Sequence, residues 1–293
     1  MLKKAYVALT TRGVSGLFRA VYQRIRPDRL EYYPHCKSHF ESRVGLEVGG
    51  PSPIFSARGC VPVYPVAERI DNCNFGATTV WEGQVSEGDT FAFNHEKAPG
   101  RQYVAEASDL TCIRSSQYDF VLSSHCIEHL ANPLQGLKEW IRVLKEDGAL
   151  VLVVPHKDGT FDHRRPTTRI EHLIEDFENG TTEQDLTHLD EILKLHDLAR
   201  DPEAGGFQAF EERSKRNFEN RCLHHHVFDT RLVVEILNQM RMQILAVELF
   251  QPYHIVVVAR KLHANEEPDN ERFRGVGKQP CWTSPFPTDQ LYH

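Results

Sequence analysis

The stretch from Tyr118 to Pro155, YDFVLSSHCIEHLANPLQGLKEWIRVLKEDGALVLVVP, decides the fold. It opens on a short apolar run, Tyr118–Ser123, and closes on a nearly all-aliphatic one, Ala149–Pro155. Between them Leu134, Leu137, Ile141 and Leu144 recur at helical spacing. Asn132 reads as an N-cap with Pro133 at the first helical position, and Gly148 as the glycine that closes the helix. A strand with no polar alternation, such as Ala149–Pro155, belongs in a parallel sheet covered on both faces. The stretch is therefore a strand–helix–strand unit.

The same alternation extends outward. Upstream, Arg43–Val48 ends at the turn GGPSP, Val61–Ile70 ends at Asp71-Asn72, and Gln102–Ala105 is a third short run. Downstream, residues 156–227 turn polar and rich in His, Arg and acids, with an amphipathic helix around Glu183–Ala199. Asp229 then caps a helix through Met240, and Ile244–Phe250 and His254–Arg260 make a short-linked final pair. The pattern predicts an α/β fold: a Rossmann-like, mostly parallel sheet with an antiparallel edge hairpin. A helical insertion after the fifth strand caps the substrate. Residues 1–43 form a basic N-terminal helical segment, 44–262 the main domain with its inserted cap at 156–227, and 263–293 an irregular tail.

At 293 residues the chain can bury one sizeable core, and 40% apolar with 26% charged residues is ordinary for a globular protein. Seven scattered cysteines without a C-x-x-C pair argue for reduced thiols and a cytoplasmic protein rather than a disulfide framework. The net charge of −7 is unevenly spread: residues 1–43 hold nine Lys/Arg against Asp28, Glu31 and Glu41. The acidic remainder argues against nucleic acid as a partner. Val14–Arg26 is amphipathic and basic, a helix that either packs on the core or lies on an anionic membrane surface.

Residues 45–53, GLEVGGPSP, resemble the first motif of class I S-adenosylmethionine-dependent methyltransferases, where glycines let the backbone pass close to the cofactor. Residues 118–155 resemble the fourth-motif region of the small-molecule members related to ubiquinone-biosynthesis enzymes. Asp119 opens the strand, Glu128-His129 follows, and a helix ending in Arg142–Gly148 leads into the next strand. The resemblance covers residues 44–155 and 228–262 and departs at Pro51, where a second motif glycine is usual. It implies S-adenosylmethionine as cofactor, with Glu47 receiving its ammonium and Gly49, Gly50 and Pro51 passing beneath it. Asp71, with Glu68 second, would accept the ribose hydroxyls. Glu106 beside Ala107, with Asp109 as fallback, would meet the adenine amino group, and Ser124 and His125 would touch the cofactor. A dinucleotide site is the competitor, but Pro51 and Pro53 remove amide donors that a pyrophosphate needs.

The insertion leaves the fifth strand as PHKDGTFDHRRPTT (155–168) and returns as CLHHHVFD (222–229), so its two ends must lie close together. His226 is the candidate base for an acceptor hydroxyl, with His163 second, because imidazole titrates near working pH. His129, His156, Arg164, Arg165 and His224 are candidate substrate contacts. The arginines suit a phosphate or carboxylate, or else pair with Glu171, Glu175 or Asp176. Three consecutive histidines cannot all face one way on a strand, and metal-ligand spacing is missing, so no metal is expected. The expected reaction is O-methylation of a polar small molecule such as a sugar or glycan. The alternatives are another small-molecule class or a non-catalytic interaction module.

Overall fold

The computed structural model describes residues 28–291. Its strands are β1 (Val44–Val48), β2 (Arg69–Asn74), β3 (Thr78–Thr79), β4 (Gly83–Gln84), β5 (Gly88–Phe91), β6 (Gly100–Val104), β7 (Tyr118–Ser124), β8 (Leu144–Pro155), β9 (Met242–Phe250) and β10 (His254–Lys261). Its α-helices are α1 (Tyr33–Cys36), α2 (Pro133–Val143), α3 (Ile170–Asn179), α4 (Leu189–Leu195), α5 (Phe207–Lys215), α6 (Asn217–Asn220), α7 (Thr230–Gln239), α8 (Glu271–Arg274) and α9 (Pro287–Gln290).

Eight strands form one sheet in the order β5-β6-β2-β1-β7-β8-β10-β9, and β3 with β4 makes a separate small hairpin. Strands β6, β2, β1, β7 and β8 run parallel, and β10 runs antiparallel to both β8 and β9. This is the predicted mostly parallel sheet with an antiparallel edge pair. Strand β5, antiparallel to β6, adds a second antiparallel edge that the sequence pattern missed. Strand order reverses between β1 and β7, so their carboxyl ends open the crevice where ligands bind in such sheets.

The local signals of the deciding stretch explain α2. The Asn132 side chain accepts from the Gln135 amide, and Leu134, Leu137, Trp140 and Val143 are buried beneath the helix. Its end differs from expectation. Leu144 is already extended and pairs with Tyr118 as β8 begins, and Asp147, not Gly148, takes a positive φ of 61°. Gly148 is required by close packing instead, since a Cβ there would lie 2.8 Å from the Lys145 carbonyl. At α7 the expected cap is present, Asp229 accepting from the Leu232 amide at 2.8 Å.

Two other boundaries shift for physical reasons. The run Val61–Ile70 is not a strand: Val61, Val63 and Ala67 are buried, but Pro62 and Pro65 cannot donate to a ladder, so β2 starts only at Arg69. The helix expected over Glu183–Ala199 shrinks to α4, because His196 turns extended and stacks on Phe161 at 4.2 Å.

The sheet is covered on both faces. Leu134, Leu137 and Trp140 of α2 and Leu232, Val233 and Leu237 of α7 pack one side. Leu30, Cys36, Phe40 and Phe55 close the other, so the end of the basic N-terminal segment is part of the core. The expected amphipathic helix at Val14–Arg26 lies outside the described residues. The tail is packed rather than loose: Asp289 is fully buried and accepts from the Thr230 amide at 3.2 Å and hydroxyl at 2.6 Å. All seven cysteines are free thiols, and no described helix is long and apolar enough to cross a membrane.

Candidate functional site

A cavity of about 780 Å³ sits at the carboxyl ends of β1, β2, β6 and β7, roofed by the insertion. The turn after β1 contributes Gly49 and Pro51. Gly49 holds φ at 80°, a conformation side chains rarely adopt, and a Cβ there would stand 3.3 Å from Cys126. Asn74 and Phe75 enter from the end of β2, Glu106 and Ala107 from the loop after β6, and Ser124 and His125 from the end of β7. His125 leaves its strand at φ 52° and lays its Nε2 2.8 Å from His254 Nδ1. Six of the nine expected cofactor positions thus meet in one cavity: Gly49, Pro51, Glu106, Ala107, Ser124 and His125.

The other three lie beneath it. Glu47 is fully buried, its carboxylate taken up by the Ser52 amide at 2.9 Å and the Tyr64 hydroxyl at 2.6 Å. Burial outweighs these donors and pushes its pKa up to about 7. Glu47 therefore shapes the turn from below. Gly50 faces Glu47, where a Cβ would fall 2.2 Å from the carboxyl carbon. Asp71 lies in mid-strand, held by Arg69 at 2.7 Å and the Tyr118 hydroxyl at 2.8 Å. Its expected place at the strand end belongs to Asn74, because β2 begins eight residues later than the Val61 start read from the sequence.

These surfaces fit S-adenosylmethionine. The glycine turn leaves open backbone beside the cavity, and Asn74, Glu106 and Ala107 line it. The Glu106 carboxylate is clamped by the Arg221 guanidinium from the insertion, a contact no sequence pattern announced.

The outer cavity is lined by Glu128, His129 and His224. His224 Nδ1 meets Asp162 Oδ2 at 2.6 Å, and His129 Nδ1 meets the Leu223 carbonyl at 3.0 Å, leaving the Nε2 of each ring uncommitted. The Glu128 carboxylate is buried without a hydrogen-bond partner, its nearest imidazole nitrogens being His125 Nδ1 at 3.6 Å and His129 Nε2 at 3.9 Å. Burial disfavours the charged form of His224, but the Asp162 carboxylate and then Glu128 outweigh it, so its pKa stands above the ordinary value. Burial opposes ionisation of Asp162 too, yet His224 and Arg165 hold it down at about 2. Burial, with His224 nearby, lowers His129 to about 4.

Several candidate residues sit elsewhere. His226 does not line the cavity: it is buried with its Nε2 3.2 Å from the Ala131 carbonyl, and burial drives its pKa well below the ordinary value. His163 and Arg164 both turn to Asp197, at 2.9 and 3.3 Å. His156 is fully buried, stacked on Phe286 at 4.1 Å and 3.2 Å from Asp289. Arg165 is also buried, gripping Asp162 at 2.9 Å, Glu191 at 2.8 Å and the His224 carbonyl at 2.8 Å. It is a brace for the His224–Asp162 pair rather than a substrate clamp.

A family model described as a methyltransferase domain matches residues 76–152. Solved structures of similar fold include an S-adenosylmethionine-dependent methyltransferase from Aquifex aeolicus, 15% identical, covering 83% of this chain and 98% of that one with a TM-score of 0.40. Another, from Mesorhizobium loti, is 12% identical over 78% of this chain and 97% of that one, with a TM-score of 0.44. No curated protein sequence matches the chain.

Proposed function

We propose that this chain, a class I S-adenosylmethionine-dependent methyltransferase, methylates a hydroxyl oxygen of a polar substrate, a sugar or glycan being the leading class. The cofactor, when bound, supplies an electrophilic methyl group on a sulfonium. What remains for the protein is to hold the acceptor in line and to remove its proton. The observation that carries this reading is the His224–Asp162 pair at the cavity wall.

Asp162 fixes Nδ1 as the protonated nitrogen of neutral His224, so Nε2 is free to receive the hydroxyl proton. The ionised Asp162 then stabilises the imidazolium. Arg165 positions Asp162 and the His224 backbone together. The base role expected of His226 therefore passes to His224, two residues earlier on the same returning segment. The cavity's outer lining supports a hydroxylated substrate: Trp81, half exposed, tilts against His129 at 5.2 Å, and Arg200, Asp201, Glu203 and Arg213 line the same cavity. An aromatic face among hydrogen-bonding side chains suits a sugar ring better than a quinone.

The test is a methyl-transfer screen with labelled cofactor against nucleotide sugars, free glycans and lipid-linked glycans. Transfer to a hydroxyl, with a kcat lowered about 10²–10⁴-fold in His224→Ala and unchanged affinity for S-adenosylhomocysteine, supports the reading. Full turnover in His224→Ala, or label found only on nitrogen or carbon, refutes it.

A further inference from the structure

Four side chains of the insertion converge away from the cavity with no part in the chemistry above. His172 and Asp176 lie one turn apart on α3, His188 immediately precedes α4, and His226 belongs to the returning segment. His172 Nε2 stands 2.9 Å from His188 Nε2 and 3.4 Å from Asp176 Oδ2. His226 Nε2 is 3.7 Å from the same carboxylate oxygen. Four ligands at about 2.0–2.2 Å from a tetrahedral zinc ion sit about 3.3–3.6 Å from one another. The His172–His188 spacing falls below that range and the His172–Asp176 spacing within it, and a ring nitrogen of His226 lies within 4.8 Å of one on each of the other two histidines.

The cluster is also short of protons. A hydrogen bond between the two facing imidazole nitrogens accounts for one of them, yet Asp176 Oδ2 and His226 Nδ1 are buried with no hydrogen-bond partner. Buried lone pairs left in this state are costly unless a cation collects them. The outer contacts fit as well. The Thr181 hydroxyl donates to Asp176 Oδ1 at 2.9 Å, and Glu175 approaches His172 Nδ1 at 3.8 Å, the carboxylate support common behind histidine ligands.

We propose that His172, His188 and His226, the last through Nδ1, bind one divalent cation of the zinc class with Asp176 as the neighbouring carboxylate, which pins α3, the start of α4 and the returning segment into one unit. Three imidazoles with one carboxylate favour zinc over magnesium or calcium, which prefer all-oxygen sets. Its place away from the cavity marks the site as structural. The inference does not depend on the acceptor or on His224.

The full-length protein is stripped with a chelator, reloaded with Zn²⁺ and assayed for bound metal. The cavity trio Glu128, His129 and His224 also places three donor atoms within 4.8 Å of one another, so the variants must separate the two clusters. The expected result is that His188→Ala binds one equivalent less than wild type while His129→Ala retains that equivalent. Chelation should lower the Tm of wild type by about 5–10 °C and leave that of His188→Ala unmoved. If His188→Ala does not fold, Co²⁺ loaded into wild type must show the strong visible bands of a tetrahedral site. Equal zinc in wild type and His188→Ala, a chelator-insensitive wild-type Tm, or absent tetrahedral cobalt bands would each overturn the proposal.

Discussion

Glu47 shows how one carboxyl can support a cavity that it does not line. It accepts from the Ser52 amide and the Tyr64 hydroxyl from below, so Glu47→Ala leaves the buried Tyr64 hydroxyl proton without its acceptor and the Ser52 amide with the Tyr64 oxygen alone, while Glu47→Gln keeps an acceptor for both. Glu47→Ala should cost about 1–3 kcal/mol of stability and weaken S-adenosylhomocysteine binding, with Glu47→Gln close to wild type in both denaturant melts and calorimetry. The raised pKa sets a sign. The folded state keeps its proton up to about pH 7, whereas the unfolded chain loses it near the ordinary carboxyl value, so this group's contribution to stability falls as pH rises through that window. At Gly49 the positive φ makes Gly49→Val a backbone lesion as much as a steric one, and calorimetry should show cofactor binding lost. Activity should fall on acidification as His224 protonates, at a pH above the ordinary histidine value. Asp162→Asn removes the group that raises His224 and should move that acid limb to lower pH while lowering kcat.

The elements that local chemistry specifies were legible in the chain itself. Asn132-Pro133 and Asp229 announce the starts of α2 and α7, and the aliphatic run Ala149–Pro155 announces a strand buried on both faces. Where tertiary partners decide, the reading slipped. Val61–Ala67 is apolar enough for a strand, but its prolines leave it as an irregular cover, so β2 ends at the cavity with Asn74 and the expected Asp71 falls in mid-strand. The insertion was least legible because its side chains pair across long separations: Arg165 with the His224 carbonyl, Arg221 with Glu106, His226 with Asp176. One signal was in plain view, the helical spacing of His172 and Asp176. It carries no weight until His188 and His226, distant in sequence, are brought beside it. At this scale Arg165→Met should lower kcat through loss of the Asp162 position and leave cofactor affinity intact, since Arg165 braces His224 and Asp162 from behind without lining the cavity itself.

Over the whole molecule, the far C-terminal residues help hold the site's scaffold. Asp289 of α9 meets the first turn of α7 through Thr230, and Phe286 stacks on His156, the residue directly after β8. Asp289→Ala would leave buried Thr230 donors unpaired beside His156, and we expect a loss of about 2–4 kcal/mol in chemical denaturation.

His156 and Phe228 form an isolated parallel bridge, and the Lys157 amide donates to the Phe228 carbonyl at 2.9 Å. The roof thus departs from the sheet and rejoins it at a single gate, with no net displacement between entry and exit. The entropy of closing such a loop rises only logarithmically with its length, so the sheet is nearly indifferent to how much chain passes between the posts. That makes the roof an exchangeable cassette. A change in the roof's length should therefore leave the sheet and the cavity floor beneath it standing.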